Sequence, residues 1–203
     1  VRSWTGALVA GGVALTVALV AAPRPDVSRE LVELRALDAR LAKMERQAGL
    51  LEESAREVRD RYWRDVEPIE RALLRRARSP ELAKAAAWAL VREAEGRHLS
   101  PALLAAVLRV ENPWLVPDTV SYAGAVGWMQ VMPLHVTEGH PCGEDLTDGP
   151  TSVCYGADIL RGYLGRALDD AIRAALLRYN GCVSTPGCEI YATKVVNLTE
   201  NSE

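Results

Sequence analysis

The sequence contains no phenylalanine, and aromatic residues make up only 5% of it. Runs of β-branched residues are short as well, while Ala, Leu, Val and Arg dominate. Such a composition supplies little to fill the pleated face of a sheet and points to an all-α protein. No basic patch interleaved with aromatics occurs, so nucleic acid is excluded as a partner. A Gly-rich phosphate loop and a Gly-x-Ser-x-Gly elbow are also missing, and no cofactor is expected. Strong charge of one sign is lacking too, the formal net charge being -3 over 203 residues. What charge there is lies unevenly: residues 23–78 are mildly basic, and residues 79–203 carry more acids than bases. The second part would repel a polyanion but not a largely neutral sugar polymer.

Cysteine is absent until Cys142, and all four fall in the last third of the chain. The spacings of Cys142, Cys154, Cys182 and Cys188 do not match the short Cys-x2-4-Cys clips of zinc sites. An even number in an exported chain reads as two disulfides. Of the three pairings, Cys142–Cys154 and Cys182–Cys188 each close a local loop and are expected. Export is suggested independently by Trp4 to Ala22, an uncharged stretch rich in Ala, Val, Leu and Gly. At helical rise it is about as long as a bilayer core is thick. Residues 1–22 are therefore read as a transmembrane anchor or signal segment. Val20-Ala21-Ala22 offers a small-residue cleavage site, but Pro23 just beyond it favours an uncleaved anchor. The rest of the chain is expected outside the cytoplasm.

Residues 23–78 form a second region. From Leu34 the apolar positions recur at Leu37, Leu41, Met44, Ala48, Leu51, Ala55, Val58 and Tyr62, at intervals of three and four. This coiled-coil-like pattern predicts a stalk helix with a narrow apolar seam. A homodimer is one way to bury the seam, and folding back on the same chain is the other. Pro68 interrupts the pattern, with a short helix continuing to Arg78. Ser79-Pro80-Glu81 then reads as a helix start, with a capping Ser, Pro at the first position and an acid in the first turn. A catalytic domain is placed at residues 79–203. Gly96-Arg97-His98 ends its first helix, and Ser100-Pro101 repeats the start signal. Further helices are expected near 127–137, 152–167, 169–180 and 188–198, with loops at 113–126 and 139–150.

The helix from Pro101 to Glu111 is apolar nearly all round and so is expected to be buried. Glu111 closes it on the stripe of Leu104, Val107 and Leu108, and Asn112-Pro113 forces the backbone out. Burial and the negative end of the helix both raise the pKa of a carboxyl there, toward the range useful for proton transfer. Capping and ion-paired glutamates share this pattern. Downstream, Ser121-Tyr122-Ala123-Gly124-Ala125-Val126-Gly127-Trp128-Met129-Gln130-Val131-Met132-Pro133 combines small residues, which permit close approach by a bulky ligand, with an amide. Gln130 can donate to and accept from a sugar hydroxyl or N-acetyl group. Tyr179-Asn180-Gly181 ends a later helix with a polar pair and a C-terminal glycine.

Val110-Glu111, the stretch from Ser121 to Pro133 and Tyr179-Asn180-Gly181 together resemble lytic transglycosylases with a goose-lysozyme-like catalytic domain. The likeness spans about Ser79 to Asn197 and implies a lysozyme-like helical fold. It implies that Glu111 is the sole catalytic carboxylate, that Ser121, Met129 and Gln130 line a sugar groove, and that Tyr179 assists near the cleaved bond. Gly127 and Asn180 complete the candidate substrate-binding set. The substrate implied is the peptidoglycan glycan strand, cut between N-acetylmuramic acid and N-acetylglucosamine to leave 1,6-anhydromuramic ends. Two positions depart from the family pattern: Asn112 stands where Ser is common, and Trp128 where Leu is common. Trp128 either packs in the core or offers a stacking face.

Two rival functions remain at this level. A hydrolytic muramidase would need a second carboxylate, for which Asp118, Asp145 and Asp148 are the loop acids available. A non-catalytic peptidoglycan-binding scaffold would need none. His135, Glu138 and His140 do not share a helix face, and no metal is expected.

Overall fold

The computed structural model describes residues 27–165, 171–182 and 187–201. Helix α1 spans Val27–Arg61 and passes through a π-helical turn, Tyr62–Val66, into α2, Glu67–Leu74. Then follow α3 (Pro80–Arg97), α4 (Pro101–Glu111), α5 (Gly149–Leu164), α6 (Ala171–Tyr179) and α7 (Cys188–Glu200). Among the described residues the extended structure amounts to two isolated bridges, Val120 with Val126 and Val126 with Val131. The fold is all-helical, as the composition predicts. Contacts divide the chain into two units, Val1–Leu51 and Glu52–Glu203.

The predicted anchor, residues 1–22, lies outside the described residues. Among the described residues no helix is long and apolar enough to cross a membrane. The expected stalk forms α1, a single helix with no buried residue. Its seam positions Leu37, Leu41, Met44, Leu51 and Val58 are all exposed.

The second unit is built around short, sharply capped helices. Ser79 accepts a hydrogen bond from the Leu82 amide at 3.2 Å, and Ser100 from the Leu103 amide at 3.2 Å. Each Ser is followed by Pro, whose missing N–H costs nothing in a first turn. His98 ends α3 in the left-handed region, at φ 54°. Pro68 falls in the first turn of α2, so that helix continues past it. Helix α2 supplies Ile69 and Leu73 to the core, and Val66 from the π-helical turn joins them. With Leu90 of α3, Leu104 and Leu108 of α4, Leu160 of α5, Leu176 of α6 and Val195 of α7 they form one apolar cluster.

Three later helices fall close to their predicted places. Helix α5 starts three residues early, because Asp148 rather than a later residue caps it, accepting from the Thr151 amide at 2.9 Å. The helix expected near 127–137 is not formed. Gly127 (φ 82°) and Gln130 (φ 48°) both take left-handed backbone, which ends any helix there. That segment is a set of turns followed by one 3-10 turn, Pro133–His135. Both disulfides pair as expected, Cys142 with Cys154 and Cys182 with Cys188.

Candidate active site

The last turn of α4 carries Glu111 out of the core. Leu103 to Leu108 are buried, so the helix is held by its whole circumference and its C-terminal end is fixed in space. Asn112 then ties the end down. Its side chain donates to the carbonyls of Val116 (2.7 Å) and Gly127 (3.3 Å) and accepts from the Val116 amide (3.0 Å). The departure from Ser at this position therefore supplies a clamp between the Glu111 end of α4 and the Gly127 turn.

Glu111 is half-buried, and burial pushes its carboxyl above the ordinary glutamate range. Two groups oppose that. The Tyr191 hydroxyl donates to Glu111 Oε1 at 2.5 Å, and the Lys194 ammonium acts on it through space. Burial, then Glu111 itself, holds the Tyr191 hydroxyl far above its usual pKa, so it stays a donor. Among the described residues, the groups acting on Glu111 include no second carboxylate. Asp145 accepts from the Thr147 amide and hydroxyl, which hold its carboxyl below the usual range, and Asp148 caps α5. Asp118 is exposed.

Tyr191 escaped the sequence reading, which placed a helix there but no function. The signal was a stripe: Tyr191, Lys194 and Leu198 recur at three and four along α7, beside the buried Cys188, Ala192 and Val195. A phenol and an ammonium on an otherwise apolar face mark a place where polar groups are needed.

The residues expected around Glu111 divide into two kinds. Gln130 and Tyr179 line a hollow of about 40 Å³ together with Val131, Met132, His135, Ile159 and Tyr163. This hollow shares His135, Ile159 and Tyr163 with a larger one of about 270 Å³, reaching His140, Tyr155 and Asp158. The two adjoin through these shared residues. The Gln130 amide nitrogen donates to the carbonyls of Gly127 (2.8 Å) and Thr119 (3.3 Å), which leaves its oxygen to accept from a ligand. Tyr179 donates to the Met129 carbonyl at 2.9 Å, and burial and then Glu111 raise its pKa well above the usual phenol value.

Other candidates serve the framework. Met129 is wholly buried, and its side chain packs where a Cβ on Gly156 would fall, at 2.7 Å. The thioether thus lies under the hollow rather than along it. Trp128 is 2% exposed and donates to the Leu115 carbonyl at 3.1 Å, so it is core and not a stacking face. At Gly127 a Cβ would meet the Leu146 carbonyl oxygen at 2.1 Å. That glycine admits a loop of this chain, where the small-residue pattern suggests space for a ligand. Ser121 caps its own turn, accepting from the Ala125 amide at 2.9 Å. Asn180 is exposed just beyond α6.

The Cys182–Cys188 disulfide joins the end of α6 to the start of α7, and so links the helices that carry Tyr179 and Tyr191. His140, Cys142 and Asp158 bring potential metal ligands within 4.8 Å of one another. The Cys142 sulfur is bound to Cys154, however, leaving one imidazole and one carboxylate, too few for a zinc site.

Residues 89–187 match the family model of the transglycosylase SLT domain. No curated protein matches the chain. The match takes in Glu111, the Ser121 to Pro133 stretch and Tyr179, and the helical fold around them agrees with it. Residues 89–187 are thus a transglycosylase SLT domain, the lysozyme-like catalytic domain of lytic transglycosylases, lyases that act on peptidoglycan glycan strands.

Proposed function

We propose that the enzyme cuts the β-1,4 bond between N-acetylmuramic acid and N-acetylglucosamine, with Glu111 as its single acid and base, and leaves 1,6-anhydromuramic ends. The observation that supports this reading is a half-buried Glu111 whose raised pKa is opposed by a Tyr191 hydrogen bond, with no second carboxylate among the described residues that act on it. Ordinary glycosidases place two carboxylates about 5 to 9.5 Å apart. One carboxylate suffices if the nucleophile belongs to the substrate.

In the first step the protonated Glu111 gives its proton to the departing glucosamine oxygen as the glycosidic C–O bond breaks. The carboxylate so formed keeps the Tyr191 hydrogen bond on Oε1, which disperses its new charge. In the second step the same carboxylate takes the proton of the muramic acid 6-hydroxyl. That oxygen bonds to the anomeric carbon, and Glu111 is returned protonated. No water is consumed and no cofactor takes part. The free oxygen of the Gln130 amide and the Tyr179 side of the hollow would hold the sugars near this pair.

Glu111→Gln keeps shape and hydrogen-bonding capacity but loses the titratable proton. It should lower the rate by roughly two to four orders of magnitude while leaving glycan binding largely intact. Full activity in that variant would remove Glu111 from the mechanism.

The catalytic unit is proposed to work outside the cytoplasm of a bacterial cell, held to the membrane through residues 1–22. The two disulfides and the uncharged Trp4 to Ala22 stretch support this placement. The exposed seam of α1 supports a homodimer through the stalk.

A further inference from the structure

A hollow of about 240 Å³ opens beside the C-terminal end of α4. Arg75 and Arg76 follow α2 into its wall, Arg109, Val110 and Pro113 come from the end of α4, and Lys194 from α7. Among the described residues four cations line it and no carboxylate does. None of these four side chains makes a hydrogen bond or salt bridge to a described residue. Several other arginines of the unit find acids: Arg61 pairs with Glu95, Arg71 with Glu67, and Arg97 with Glu93 and Asp158. The contrast is sharpest along α2, where Arg71 is paired and Arg75, one turn on, is not.

Gathering like charges in a concave, partly buried place costs free energy that folding does not recover. Arg109 registers the cost, since burial and then Arg75 and Arg76 push its pKa below the usual guanidinium value. An anion would offset it. Guanidinium groups suit carboxylates in particular, which they can hold through two parallel hydrogen bonds. Val110 and Pro113 add an apolar wall against which an aliphatic chain could lie.

The position of the pocket selects the anion. Lys194 stands one turn beyond Tyr191 on the same face of α7, about 5 Å along the helix. The pocket therefore begins next to the Tyr191–Glu111 pair. In peptidoglycan the muramic acid at the cleaved bond bears a peptide with free carboxylates. We infer that Arg75, Arg76, Arg109 and Lys194 form a binding site for the carboxylates of that peptide stem, beside the catalytic glutamate. The inference rests on the proposed reaction for the placing of muramic acid. The acidic excess of residues 79–203 does not reach the pocket wall.

The test is binding, measured by calorimetry on the full chain carrying Glu111→Gln, which cannot consume its ligand. The probes are peptide-bearing glycan oligomers, the same oligomers with their carboxylates amidated, and inorganic phosphate. Amidation should weaken binding about tenfold or more, as loss of charged hydrogen bonds does. Adding Arg76→Gln and Arg109→Gln should abolish that difference, and should raise rather than lower the melting temperature, because like charges are removed. Equal binding of both oligomers, or a difference that survives the double replacement, would overturn the site. Phosphate displacing the peptide-bearing oligomer at equal concentration would overturn the stem as its ligand. Turnover of peptide-bearing strands by the unaltered enzyme, scored for anhydro ends, reports on the reaction separately. A failure there with amidation sensitivity retained would strike the mechanism and leave the pocket standing.

Discussion

At Glu111 two influences oppose each other: burial raises the pKa of the carboxyl, and the Tyr191 hydroxyl and Lys194 ammonium lower it. Acid catalysis needs the protonated form in the first step, so activity should fall as pH rises through that raised pKa. Tyr191→Phe removes the larger of the two lowering influences. The alkaline limb of the pH–rate profile should then move to higher pH, and kcat should drop roughly tenfold, as loss of a hydrogen bond to a charged group does. A purely structural Tyr191 would change stability and leave the limb where it was. Glu111 stands out in the sequence through the motifs that follow it, because its helix pattern alone is shared by capping and ion-paired glutamates. Tyr191 does not, because its partner lies eighty positions away and only the packing of α7 against α4 brings them together.

At the scale of elements, the helix starts could be read from Ser79-Pro80 and Ser100-Pro101, where the capping chemistry is local. The Ser121 to Pro133 stretch could be recognised but not shaped. Its left-handed residues include Gln130, which nothing in a periodic pattern flags. The same stretch misled about its glycines. Its small residues suggest room for substrate, while Gly127 is needed by the Leu146 backbone. Gly127→Ala should therefore cost well over the about 1 kcal/mol expected from its positive φ alone. Gly124→Ala, with φ 86° but open space around it, should cost no more than that strain. Urea denaturation of the two variants separates them, and equal losses would mean that the Leu146 contact relaxes freely.

For the whole molecule, the SLT match decides between enzyme and passive scaffold in favour of the enzyme. The exposed seam of α1 predicts that a soluble fragment of residues 24–203 sediments as a dimer. Replacing Leu37 and Leu51 by Asp should make it monomeric with no loss of activity on soluble glycan, and a monomer before any replacement would argue against pairing through the stalk. The central claim is that one carboxylate and the substrate's own hydroxyl complete the reaction without water. Digestion of purified sacculi in heavy-oxygen water, followed by mass spectrometry of the released muropeptides, tests it most directly. The account predicts 1,6-anhydro ends with no heavy oxygen at the anomeric carbon. Reducing ends carrying the label would show that water is the nucleophile, and would contradict it.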